Sequence, residues 1–346
     1  MCIYFTNQEN LTYKNGEHII PAGLGGKQKL PKNYVSDQFN NYISKNEQKF
    51  LRNSIISLPR QILGPGKRGS LISTKQTKSE ISVFTQINDD TSFSLGYIKQ
   101  GKPFEIPHIV LNLTTGETQL SLPRDNYEEE LLEFKKSISD ANFKIKLIKF
   151  PALDINTFLF GIKSEIEENY NCFVASQDGI KNPFNQKILN SALEATSAIT
   201  KSASVLSSKI KAHQKARIDI NYYRCCAKIA FNFIAHLKGN EFVNQQKFDA
   251  VRNLIVHGIN DELVQILPTF PKSSANMFPA DSHQILITKI DDKLVANVCL
   301  YDHFNQGVLL CEDFNDEFEI QGFICDWRNE KEYNFIEYLS NKRYNP

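Results

Sequence analysis

The chain has 346 residues, of which 41% are hydrophobic and 23% charged, an ordinary balance for a folded protein of two or three domains. No apolar run approaches the eighteen or so residues of a membrane span, so a membrane partner is not expected. The net charge of +1 is unevenly spread: residues 1–80 hold twelve Lys and Arg against five Asp and Glu, or +7, which leaves −6 for the remainder. A basic N-terminal part beside an acidic remainder fits a phosphate-facing module attached to one that does not meet phosphates; chance clustering of solvated lysines gives the same sum.

In chain order, the first residues, Met1-Cys2-Ile3-Tyr4-Phe5, lack the basic flank and cleavage site of a signal peptide. The seven cysteines (2, 172, 225, 226, 299, 311 and 325) show no repeated spacing and read as reduced, mostly buried thiols of a cytoplasmic protein. Residues 12–13 and 18–20 read as two short strands joined by Lys14-Asn15-Gly16, because Asn-Gly is a strong hairpin signal. A helix is expected over about 40–53, its first turn packed against that hairpin. Arg52 and Arg60 lie on or after it, with phosphate-facing and solvated roles both open.

Residues 61–80 are rich in Gly, Ser, Thr and Lys and read as a basic linker carrying Lys67 and Arg68. Residues 81–122 alternate as an antiparallel meander, in which His108 reads as structural. A helix with an acidic start follows over 126–139, and a strand over 143–150. The middle is helical, over about 188–212, then 218–237 with Tyr222, Cys226, Ile229, Phe233 and Leu237 on one face, then a third helix closed near Gly258. The second of these suits burial within the chain or between two chains. Residues 283–325 return to strands, Asp302-His303 reads as a surface loop, and one short helix stands in the tail. The fold class is therefore α+β, with domains 1–60, a linker 61–80, and a mixed C-terminal region 81–346.

The chemistry concentrates in one stretch: Glu17-His18-Ile19-Ile20-Pro21, then Leu24-Gly25-Gly26, then Phe39-Asn40-Asn41. A neutral imidazole suits proton abstraction near pH 7, and carboxylate or amide oxygens suit a hard divalent cation. Adjacent strand residues point to opposite faces, so Glu17 and His18 serve one site only if the hairpin bends or one contact comes from the backbone.

These residues resemble the HNH (His-Me finger, ββα-metal) endonuclease family, in its branch with an EHIIPxxLGG…CxxCNN pattern, over roughly residues 1–60. The resemblance implies His18 as general base, with Asn33 near the family's central Asn in an open register. It implies Glu17, Asn40 and its neighbour Asn41 on the side of a Mg²⁺ or Mn²⁺ ion, and an acid at Glu47. Lys27, Lys29, Lys32, Arg52, Lys67 and Arg68 are the candidate nucleic-acid contacts. Relatives hold the finger with two Cys-x-x-Cys pairs around zinc; here those positions are Cys2 and Phe5, then Ser36 and Phe39. One cysteine of four cannot make a structural zinc site, so no structural zinc is expected, and Phe5 is expected to pack on Phe39 instead.

The implied function is a metal-dependent endonuclease acting on DNA, with RNA left open and a homodimer allowed because duplex cleavage breaks two strands. By family analogy it serves bacterial restriction or phage defence. The alternatives are a non-catalytic nucleic-acid-binding protein and a protein-interaction module, each carrying a decayed finger.

Overall fold

The computed structural model describes all residues except 87–88, 124–125, 140–142, 168–169, 196–209, 269–276 and 345–346. The chain divides into two compact units, Met1–Thr77 with Ala216–Pro346 in the first and Lys78–Lys215 in the second. The expected division into 1–60, 61–80 and 81–346 therefore gives way to a unit built from both ends of the chain.

In the first unit, α1 spans Asp37–Asn53 and α2 spans Ser57–Ile62. The side chain of Ser36 accepts the Phe39 amide at 3.2 Å, so α1 starts three residues earlier than expected, and Asn40 sits inside the first turns rather than at the start. Residues 61–77 are not a free linker. Tyr301 donates its hydroxyl to the Gly64 carbonyl at 2.8 Å, and the buried Arg60 guanidinium donates to the carbonyls of Gly23 and Gly66. Arg60 thus satisfies backbone acceptors and is withdrawn from any phosphate.

The second unit runs β1 (Ser82–Gln86), β2 (Asp89–Lys99), β3 (Lys102–Glu105), β4 (His108–Asn112), β5 (Thr118–Ser121), α3 (Tyr127–Ser139), β6 (Ile145–Lys149), β7 (Thr157–Glu167), β8 (Tyr170–Ser176), α4 (Gln186–Ala195) and β9 (Ile210–His213). One sheet has the order β3-β2-β1-β9, the other β5-β4-β7-β8-β6, with β6 parallel to β8 and the remaining pairs antiparallel. The helix expected over 188–212 reaches only Ala195 and 196–209 lie outside the described residues. Residues 210–213 are strand because they pair with the edge of β1, where unpaired amides and carbonyls would otherwise face solvent. His108 is buried, as a structural residue should be, and its Nδ1 lies 2.8 Å from the Ile106 carbonyl.

The chain returns to the first unit with α5 (Ile220–Lys238), α6 (Asn240–Val243), α7 (Asp249–His257), β10 (Val264–Leu267), β11 (His283–Ile290), β12 (Lys293–Leu300), β13 (Phe304–Cys311), β14 (Gln321–Asp326), β15 (Lys331–Asn334) and α8 (Phe335–Tyr344). The sheet order is β10-β13-β12-β11-β14-β15, antiparallel throughout. Asp219 caps α5 by accepting the amides of Asn221 and Tyr222, and Gly239, at φ 88°, closes it.

Residues 225–235 of α5 are buried without exception. They share one core with Cys2, Ile3, Ile19, Ile20, Leu24, Phe39 and Phe50 on one side and with the β11–β14 strands on the other. Helix α5 is therefore buried within the chain, not between chains. The architecture is mixed α+β, with antiparallel sheets and several helices. No helix among the described residues is long and apolar enough to cross a membrane.

Candidate functional site

The Glu17-His18-Ile19 segment does not pair with residues 12–13. The Ile19 amide donates to the Gln28 carbonyl at 3.0 Å, the Leu30 amide to the Glu17 carbonyl at 2.8 Å, and His18 bridges Lys29 antiparallel. The Thr12–Asn15 stretch is drawn away by Asp37, whose carboxylate accepts the Lys14 amide at 2.9 Å and the Thr12 hydroxyl at 2.8 Å. These bonds hold the Asp37 carboxyl below its usual range, the Lys14 amide contributing most.

The loop between the two paired segments explains its own composition. Leu24 and Gly25 close a turn onto Pro21 and Ala22, and Gly25 takes φ 91°, a conformation that glycine adopts without strain. A Cβ at Gly26 would collide with the Ile20 carbonyl. The Leu-Gly-Gly element is thus a backbone device that folds the loop back against its own strand.

Helix α5 grips the Glu-His pair at two points one turn apart. Lys228 Nζ lies 2.6 Å from Glu17 Oε1 and 2.9 Å from Glu47 Oε1. Asn232 Nδ2 donates to the His18 carbonyl at 2.8 Å, and Asn232 Oδ1 accepts the Tyr4 hydroxyl at 2.5 Å. The Lys228 side chain is 1% exposed, against 13% for Glu17 and 23% for Glu47. Burial alone would lower the Lys228 pKa, but Glu17 and Glu47 outweigh it and hold the ammonium well above the ordinary lysine value.

The two residues divide their contacts, and both go to α5 instead of to one ion beside α1. Glu17 reaches α5 through its carboxylate and His18 through its backbone, which leaves the His18 ring outside this hydrogen-bonded network. That ring is half-buried, and its pKa is lowered to about 4, first by burial, then by Lys29 and Lys228, with Glu47 opposing. It is accordingly a neutral proton acceptor near pH 7, and a weaker base than an ordinary histidine.

The other expected ligands are placed differently. The acid that joins Glu17 is Glu47, two turns or about 10 Å along α1 from Asn40. Asn40 Oδ1 is buried without a hydrogen-bond partner among the described residues. Asn41 is exposed, its carbonyl accepting the Ser44 hydroxyl at 2.8 Å, and Asn33 is exposed on the turn that follows Pro31. Neither joins the cluster of Glu17, Glu47 and Lys228.

The resemblance implies a divalent ion between the Glu17 strand and α1. With Lys228 in place, the donor set does not fit one there, since the inner oxygens of both carboxylates already hold an ammonium. Among the described residues, no group of three or more His, Cys, Asp or Glu side chains is arranged to hold a metal ion.

The four positions that the resemblance sets against zinc ligands do come together. Cys2 Sγ accepts the amides of Phe5 at 3.4 Å and Ser36 at 3.5 Å. Phe5 meets Phe39 edge-on, with ring centroids 5.4 Å apart, and Tyr4 stacks on Phe39 at 3.9 Å. Aromatic packing thus fills the space between the two loops. The expected contact between Phe5 and Phe39 is present.

Of the candidate nucleic-acid contacts, Lys29, Lys32, Arg52, Lys67 and Arg68 are exposed. Lys27 is exposed as well but pairs with Glu330 at 3.0 Å, while its amide and that of Gln28 donate to Glu332.

Sequence reasoning missed Lys228 and Asn232. Their signal was available: they are the only charged and amide side chains in the run Cys225-Cys226-Ala227-Lys228-Ile229-Ala230-Phe231-Asn232-Phe233, and they stand four residues apart on one helix face. A charged residue in such a run is rarely buried unless paired. Compared with models of known protein families, with curated proteins and with solved structures, the chain matches none of them.

Proposed function

We propose that the N-terminal part of the first unit is an HNH-type nuclease module that hydrolyses DNA phosphodiester bonds, with His18 as the general base. The observation that supports this reading most is the local arrangement around His18. A neutral, half-buried imidazole stands beside a clamped Glu17, on a segment that pairs with residues 28–30 and is followed by α1.

In this reading the His18 ring takes a proton from a water whose oxygen forms a bond to phosphorus, and the phosphorus–oxygen bond to the leaving nucleotide breaks. Asn232 and the bridge to Lys29 hold the His18 backbone, so the ring is presented from a fixed strand. Lys29, Lys32, Lys67 and Arg68 are exposed cations suited to duplex phosphates.

The test is a plasmid-nicking assay on the full chain with Mg²⁺, with Mn²⁺ and with EDTA, comparing wild type with His18→Ala. Nicking by wild type that His18→Ala abolishes supports the module. An uncut plasmid in all three conditions, with folding confirmed by circular dichroism, rejects it. RNA in parallel tells the two nucleic acids apart.

A second reading is favoured by Lys228 itself. An acid pair closed by an internal ammonium is what a decayed finger would hold, a frame retained for binding without cutting. It requires salt-sensitive DNA binding that His18→Ala leaves unchanged.

A further inference from the structure

We propose that Lys228 is the resident cation of this site: its ammonium stands between Glu17 and Glu47 in place of a divalent ion and closes that pair to one. The inference rests on reading Glu17 and α1 as the cation side of the finger. It holds whether or not the finger cuts.

The geometry is that of an occupied site. Two carboxylates from separate elements, the 17–30 hairpin and α1, converge on one nitrogen at 2.6 and 2.9 Å. That nitrogen is carried by a side chain 1% exposed on the most buried helix of the unit, flanked by buried Cys225, Ala227 and Ile229. A magnesium ion needs near-octahedral oxygen ligands at about 2.1 Å and gives up its waters reluctantly. To use the inner oxygens of Glu17 and Glu47 it would have to expel Nζ, and separating an ammonium carried by a 1% exposed side chain from both its acids is costly. The second observation is the remaining donor set. Asn41 faces solvent, and Asn40 lies two turns from Glu47, so neither of the asparagines expected as ligands shares the Lys228 position. Two carboxylates and one ammonium leave the cluster at a net charge of −1, and the exposed Lys29 lies close enough to His18 to act on its ring. The consequence is a finger whose frame needs no Mg²⁺ or Mn²⁺ to form.

The experiment is a Mn²⁺ titration followed by water-proton relaxation, on the full chain, comparing wild type, Glu17→Gln, Lys228→Met and the double variant Glu17→Gln/Lys228→Met. Wild type and Glu17→Gln are expected to bind Mn²⁺ equally weakly. Lys228→Met is expected to bind it about tenfold tighter or more, roughly the weight of one removed like charge, and the double variant to lose that gain. Mn²⁺ binding by wild type that Glu17→Gln abolishes overturns the proposal, as does a folded Lys228→Met with no gain. Should Lys228→Met fail to fold, the wild-type and Glu17→Gln pair decides alone. The readout is metal binding and not cleavage, so failure here is distinguishable from failure of the nuclease reading, which the plasmid assay scores.

Discussion

Lys228 and Glu17, 211 residues apart in the chain, meet at 2.6 Å beneath the Glu-His pair. A buried ammonium has few ways to persist, and this one has two carboxylates to hold it.

Stability at alkaline pH should therefore depend on Lys228. Its folded pKa lies above the ordinary 10.5, so its contribution is fully present below about 10.5 and is lost as pH rises through the folded value. Lys228→Ala removes the shared partner of two half-buried acids and should cost about 3–5 kcal/mol at pH 7. Urea unfolding between pH 7 and 11 should show the gap between wild type and variant narrowing at the top of the range. A gap under about 1 kcal/mol at pH 7 would mean that the pair contributes no more than a surface ion pair.

His18 should titrate far below an ordinary histidine. Its folded pKa of about 4 lies beneath the unfolded value of 6.5. The unfolded chain thus takes up a proton first, and stability falls as pH drops from 6.5 toward 4. His18→Asn should flatten part of that slope. The buried His283, lowered to about 3, adds to the same slope in both proteins, so the difference isolates His18. Imidazole proton resonances followed by NMR check the midpoint directly, and a value near 6.5 would place the ring in open solvent. If the nuclease reading holds, the nicking rate should be level between pH 6 and 8, because the base is already deprotonated throughout.

The space between the loops at Cys2 and Ser36 should accept zinc once its ligands are supplied. The triple variant Phe5→Cys, Ser36→Cys, Phe39→Cys brings four thiols to positions that already touch. Without metal it should lose about 3–5 kcal/mol, because Phe39 is fully buried. Stoichiometric Co²⁺ binding with tetrahedral absorption, and recovery of the melting temperature on adding Zn²⁺, are the expected results. A variant that stays folded but binds no Co²⁺ would show that the four positions are neighbours without being a ligand set.

Much of the architecture was legible in local pattern. Alternation located β1, β2, β4, β5, β6 and β11 to β14 to within a few residues, while β3, β7, β8, β10 and β15 were not read as strands and β9 was read as helix; the three-four spacing of Tyr222, Cys226, Ile229 and Phe233 located α5. Errors fell where non-local partners outweighed local chemistry. Asn15-Gly16 signals a hairpin, but the Asp37 carboxylate takes the neighbouring amides, so residues 28–30 become the partner of Glu17 and Ile19. Gly64-Pro65-Gly66 signals a linker, but Tyr301 and Arg60 bind its carbonyls.

The sequence by itself determined the chemistry gathered near residue 18, because an acid, a histidine and a tightly turning Leu-Gly-Gly are local facts of side chain and backbone. It also determined that Phe5 and Phe39 offer aromatic surface to one another. Only the tertiary structure decided which cation stands beside Glu17. That choice depends on where a helix more than two hundred residues away packs, and on the cost of leaving its one buried ammonium without an acid.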